Sequence, residues 1–118
     1  MSPRVKAEFW VKAHLRRVEI AGAQAFIARK GDPDAGSVLI VVNKLDGSSR
    51  LLVSATRQAD ERVWLSVTGA EPVPDSLVKS EIERRVARDP DLWVLEIEDK
   101  AGRAFLDEPI DVIEPRAR

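Results

Sequence analysis

The chain has 118 residues and a mass of 13.1 kDa, is 44% hydrophobic and 33% charged, carries 19 Lys and Arg against 20 Asp and Glu, and lacks cysteine. That size and apolar content suit one folded domain and exclude intrinsic disorder. Without thiols there are no disulfides and no cysteine-based metal site, and the longest apolar run, Val38 to Val42, is too short to span a bilayer.

In residues 5–22, Val11, Leu15, Val18 and Gly22 recur at helical spacing, with Trp10, His14 and Ala21 beside them and Lys12, Arg16 and Glu19 opposite. Gly22 is the expected stop. Ala25 to Lys30 reads as a short extended segment. Gly31-Asp32-Pro33-Asp34-Ala35-Gly36 is a loop made of turn residues, and Ser37 to Asn43 is a strand rich in β-branched side chains. Asp46-Gly47 predicts a hairpin returning through Arg50 to Ser54. Two neighbouring hairpins imply a meander. Residues 57–62 are polar and read as a loop, and Val63, Leu65 and Val67 alternate as a half-buried strand.

Asp75 is the expected N-cap of a second helix that carries Val78, Ile82 and Val86 and ends before Pro90. In the strand from Leu92 to Glu98, Trp93, Leu95 and Ile97 point one way and Leu92, Val94, Glu96 and Glu98 the other. Arg103 to Leu106 could pair back. The order is helix, about four strands, helix, then one or two strands. It predicts an α+β domain with both helices packed on one largely antiparallel sheet. Residues 1–108 form that domain, and 109–118 are expected to be an irregular tail.

Charge is uneven along the chain: the net balance is +5 over residues 1–30 and −4 over 91–118. The two ends could complement each other within the fold or across a homodimer. The basic helix with Lys12, Arg16 and Arg17 could instead follow a phosphate backbone. His14, the only histidine, lies beside the apolar stripe and reads as structural. Glu96, Glu98 and Asp99 are the nearest approach to a carboxylate metal site. Asp91 and Glu98, although they spell part of a nuclease pattern, would stand about 23 Å apart on one strand and could not share an ion. Asp32-Pro33-Asp34 starts like a calcium loop, but Asn43 stands where the bidentate glutamate belongs.

Arg88-Asp89-Pro90-Asp91-Leu92-Trp93-Val94-Leu95-Glu96-Ile97-Glu98-Asp99 resembles the signature of domain-of-unknown-function family 1491. Glu8-Phe9-Trp10-Val11 through Leu15-Arg16-Arg17 is similar to that family's opening, and Arg29 to Gly36 to its first loop. The resemblance covers roughly residues 5 to 106. It implies a bacterial intracellular α+β protein and brings no activity, cofactor or catalytic residue. Physically, Asp89, Pro90, Asp91 and Trp93 read as an architectural junction: proline ends the helix, the two aspartates accept backbone hydrogen bonds, and Trp93 enters the core.

The expected function is a non-enzymatic cytoplasmic interaction or adaptor domain, with a homodimer as one form of it and no assigned catalytic, cofactor-binding or metal site. Its candidate surface comprises Lys12, Arg16, Arg17, Glu96, Glu98 and Asp99, and its partner is another protein or a second copy. The alternatives are nucleic-acid binding through the first helix and a carboxylate-based metal-dependent hydrolase. No membrane association is expected.

Overall fold

A strand that is apolar at every position must be covered on both faces. Val38 to Val42 is such a strand, and all five residues are buried. The computed structural model describes residues 6–56 and 61–113. Its elements are α1 (Ala7–Ile20), β1 (Gln24–Arg29), β2 (Val38–Asn43), β3 (Ser48–Thr56), β4 (Arg62–Ser66), β5 (Val73–Pro74), α2 (Asp75–Arg88), β6 (Trp93–Glu98) and β7 (Ile110–Val112). Val38, Ile40 and Val42 of β2 join Trp93, Leu95 and Ile97 of β6 in a core with Val11 and Val18 of α1. Leu39 and Val41 join Leu51, Leu92 and Val94 in a second core with Val78 of α2. The helices therefore sit on opposite faces of one sheet. None of the described helices is long and apolar enough to cross a membrane.

The fold is α+β with two helices, but the sheet is mixed and has seven strands, with the order β1-β6-β2-β3-β4-β7 and β5 beside β3. β6 pairs antiparallel with β1 and parallel with β2, and β7 runs parallel to β4. The expected first hairpin is absent because β6 lies between β1 and β2. Five strands, not about four, precede α2, the extra one being the two-residue β5. Arg103 to Leu106 forms no strand, and β7 lies within the expected irregular tail. Of the loop expected over 57–62, residues 57–60 lie outside the described residues, as do residues 114–118 of the expected tail, and Arg62 already belongs to β4.

Both family-like motifs meet at one junction. The 31–36 loop crosses the end of β6 so closely that a Cβ at Gly31 would lie 2.0 Å from the Asp91 carbonyl oxygen, and one at Gly36 2.4 Å from it. The Asp32 amide donates to that carbonyl, and Trp93 Nε1 donates to the Asp32 carbonyl at 2.7 Å. Asp32 Oδ2 accepts from the amides of Asp34 and Ala35. The loop also serves α1: the carbonyl of Pro33 accepts the Glu8 amide at 3.0 Å, satisfying a donor that a helix start leaves unpaired. Arg29 Nη1 donates to the carbonyls of Pro90 and Leu92. Of the two signature aspartates, Asp89 accepts the Asp91 amide through Oδ1, whereas among the described residues no hydrogen bond to the Asp91 carboxylate is found. Asp91 contributes through its backbone.

Helix α1 ends as its glycine requires. Gly22 has φ +91°, and the amides of Gly22 and Ala23 return to the carbonyls of Glu19 and Val18. Helix α2 starts one residue earlier than expected: Pro74, not Asp75, is the N-cap, and Asp75 lies in the first turn without a side-chain cap bond.

These glycines separate two kinds of cost. Gly22→Ala meets open space and suffers only the left-handed backbone penalty, so it should lose about 1 kcal/mol in urea denaturation. Gly31→Ala collides with backbone and should lose about 3 kcal/mol or more. Asp89→Ala should lose about 1 kcal/mol, with Asp91→Ala close to the parent. Equal losses at Gly22 and Gly31 would contradict the junction.

Candidate functional site

Helix α2 packs chiefly against β3 and β5. The β1–β6 part of the same sheet face is left without a helix. Between α2 and that part runs a groove of about 730 Å³, within the size range of ligand-binding clefts. Val41 and Val94 form its floor, and Val78, Ile82 and Val86 of α2 form one wall. Ala28 and Arg29 of β1 form the other rim. Beyond the rim, Phe26 is 45% exposed and stands opposite Glu96 in the β1–β6 register.

The end of the groove near the start of α2 is polar. Asn43, Ser49, Asp75 and Glu96 line it. Asn43 Nδ2 donates to Glu96 Oε2 at 3.0 Å, while Asn43 Oδ1 accepts the Leu45 amide, so the amide is held in one orientation. Glu96 Oε1 has no hydrogen bond among the described residues. Ser49 is only 1% exposed, and no hydrogen bond to its hydroxyl is found among the described residues. At the far end, the Arg29 guanidinium is fixed by the carbonyls of Pro90 and Leu92, with a longer contact to that of Lys30.

The expected surface residues do not come together. Lys12, Arg16 and Arg17 belong to α1, on the other side of the sheet from the groove. Lys12 pairs with Glu8 at 3.2 Å, and Arg17 pairs with Asp107 at 3.0 Å and donates to the Phe105 carbonyl. Arg16 is exposed. Glu96 lines the groove, and Glu98, half-buried, follows it on the same strand face. Asp99 is buried and accepts three hydrogen bonds from Arg103, which hold its carboxyl below the ordinary carboxylate range. Among the described residues, no three Asp, Glu or His side chains converge on a point. Asn43, Ser49 and Asp75 were not singled out from sequence. The available signal was the change on one face of β6 from Leu92 and Val94 to Glu96 and Glu98, which marks where the cover ends.

Comparison with known proteins places these features in context. Residues 5–107 match the family described as "Protein of unknown function (DUF1491)". A DUF1491 family protein from Caulobacter crescentus CB15 has a crystal structure similar to this one, with 41% identity, a TM-score of 0.81, and coverage of 92% of this chain and 100% of that chain. The NMR structure of a DUF1491 family protein from the same organism gives 41% identity and a TM-score of 0.78, over 93% of this chain and 99% of that one. The solution structure of protein Atu0922 from A. tumefaciens is 30% identical with a TM-score of 0.77, covering 96% of this chain and 100% of that one. No curated protein matches the chain.

His14 belongs to the architecture. It takes the buried position expected for Leu15, stacks on Trp10 with ring centroids 4.8 Å apart, and donates Nε2–H to the Ala104 carbonyl at 2.8 Å. Burial lowers its pKa below the ordinary 6.5, outweighing the stabilising carbonyl contact; Arg17 adds to the lowering, and Glu108 and Asp107 oppose it. The folded state thus holds His14 neutral, whereas the unfolded chain protonates it below about pH 6.5. Its stabilising effect is complete above that pH and is lost as the pH falls toward the lower folded value. Melting temperature should therefore decline as the pH falls below about 6.5, before the carboxylates titrate. His14→Gln should flatten that segment of the profile. An unchanged slope would assign it elsewhere.

Proposed function

The chain belongs to the DUF1491 family of proteins of unknown function, and we propose that it is a non-enzymatic binding protein that docks a segment of a partner protein between α2 and β1. The observation that carries this reading is the apolar groove between Ile82 and Val86 of α2 and the exposed Ala28 of β1, which runs over the buried Val41 and Val94 and beside the exposed Phe26. An apolar surface flanked by polar residues gains free energy when a partner excludes water from it. A homodimer is one form of the reading, because β1 and β7 both end the sheet with a free edge. The reading sets the encounter in the cytoplasm.

The alternatives have less support. Lys12 and Arg17 are engaged in ion pairs, and among the described residues only Arg16 of the basic trio has none, a weak footing for nucleic acid. A carboxylate hydrolase would need Glu96, Glu98 and Asp99 to share a metal ion, yet Asp99 gives both oxygens to Arg103 and no such group of three is found among the described residues.

Site-specific photocrosslinking tests the docking. A benzophenone side chain at position 26 should capture a defined protein in the native host, whereas one at exposed Leu77 should not. Ala28→Arg, which fills the rim at an exposed position, should abolish that capture without lowering the melting temperature. Equal capture from both positions, or capture indifferent to Ala28→Arg, would remove the reading.

A further inference from the structure

The polar end of the groove indicates what its occupant carries. We infer that the docked segment is apolar with one basic residue, whose Lys or Arg head group is received by Glu96, Ser49 and Asn43; this rests on the docking reading above. Three observations converge. Glu96 is a half-buried carboxylate whose Oε2 is fixed by Asn43 while Oε1 is free to accept. Ser49 lines the same end of the groove, and no hydrogen bond to its hydroxyl is found among the described residues, which leaves it able to accept an incoming N–H. Asp75 adds a second carboxylate to that end.

The charge balance selects a cation. Arg29, the groove's own guanidinium, is held by two carbonyls at the opposite end, and Lys79 lines the α2 wall as an exposed side chain. Neither has a hydrogen bond or ion pair to Glu96. Phe26, directly across from Glu96 in register, offers a ring face on which a guanidinium could stack. The exposed Phe26 beyond the rim and the position of β1 at the end of the sheet favour a chain segment over a small amphiphile, which would leave those surfaces wet.

The test uses the full chain and three blocked peptides: LVRVL, the same peptide with citrulline for arginine, and LVEVL. Binding is followed by amide chemical shifts of Asn43, Ser49 and Glu96. LVRVL should shift all three and bind about tenfold more tightly than the citrulline peptide, as expected for a charge-assisted hydrogen bond. LVEVL should bind more weakly still. Glu96→Gln, which keeps an acceptor for Asn43, should erase the preference for arginine over citrulline, and Ser49→Ala should reduce it, with melting temperatures checking that both variants fold. Equal affinity of the arginine and citrulline peptides, shifts confined to other residues, or no binding by any peptide would overturn the inference. Tighter binding by octylguanidinium than by LVRVL would also overturn it, assigning the groove to free amphiphilic cations. Photocrosslinking from position 26 that persists in any of these cases would leave the docking reading standing and remove only its basic specificity.

Discussion

The structure depends on the near-contact of two glycines with one carbonyl. Gly31 and Gly36 let the loop between β1 and β2 lie against Asp91, at distances no side chain would permit. From that seat the loop supplies the acceptor for Trp93 Nε1 and accepts an amide of α1. It also spans the gap that β6 fills. Were the loop held farther away, Trp93 would lose its partner in a core position with no exposure, and a buried unpaired indole N–H is costly. The junction explains why the two most recognisable stretches of the sequence, some sixty residues apart, belong to one physical unit.

The groove follows from widths. Six strands in a row at about 4.8 Å spacing make a sheet roughly 24 Å across, whereas a helix with its side chains covers about 10 Å. One helix per face cannot cover such a sheet. On the α1 face, Ala104, Phe105 and Leu106 help to complete the cover. On the α2 face no equivalent segment among the described residues crosses β1 and β6, and the side chains there change from valine to glutamate, asparagine and serine as the cover ends. Glu96 is therefore best understood by its position at a boundary: close enough to the floor to be half-buried, far enough from α2 to face an incoming group.

Local chemistry was readable and nonlocal pairing was not. The alternation of Trp93, Leu95 and Ile97 against Leu92 and Val94 assigns each residue to the core it occupies, because the period of a strand is a property of adjacent residues. Pro90 ends α2 for equally local reasons. The place of β6 between β1 and β2 depends on contacts across more than fifty residues, and turn residues at 31–36 gave a misleading hairpin signal: the glycines serve close approach, not a tight reversal. Val38 to Val42 did carry a clue, since an unbroken apolar strand implies cover on both faces. The candidate surface fared differently by residue. Glu96 was visible as a carboxylate on a strand; Asn43, Ser49 and Asp75 were not, because only the fold brings them beside it.

The interior position of β6 has a consequence for how the chain acquires its structure. A strand flanked by β1 and β2 is synthesised after both of them and after β3, β4, β5 and α2. Until it arrives, the facing edges of β1 and β2 have no common neighbour, and the two cores lack Trp93, Leu95 and Ile97 on one side and Val94 on the other. Contacts of such long sequence separation are slow to form. The sheet is thus assembled around its late-arriving centre, and the nascent chain passes through a stage in which two apolar faces and two open edges await one segment, the condition under which chains aggregate or engage chaperones.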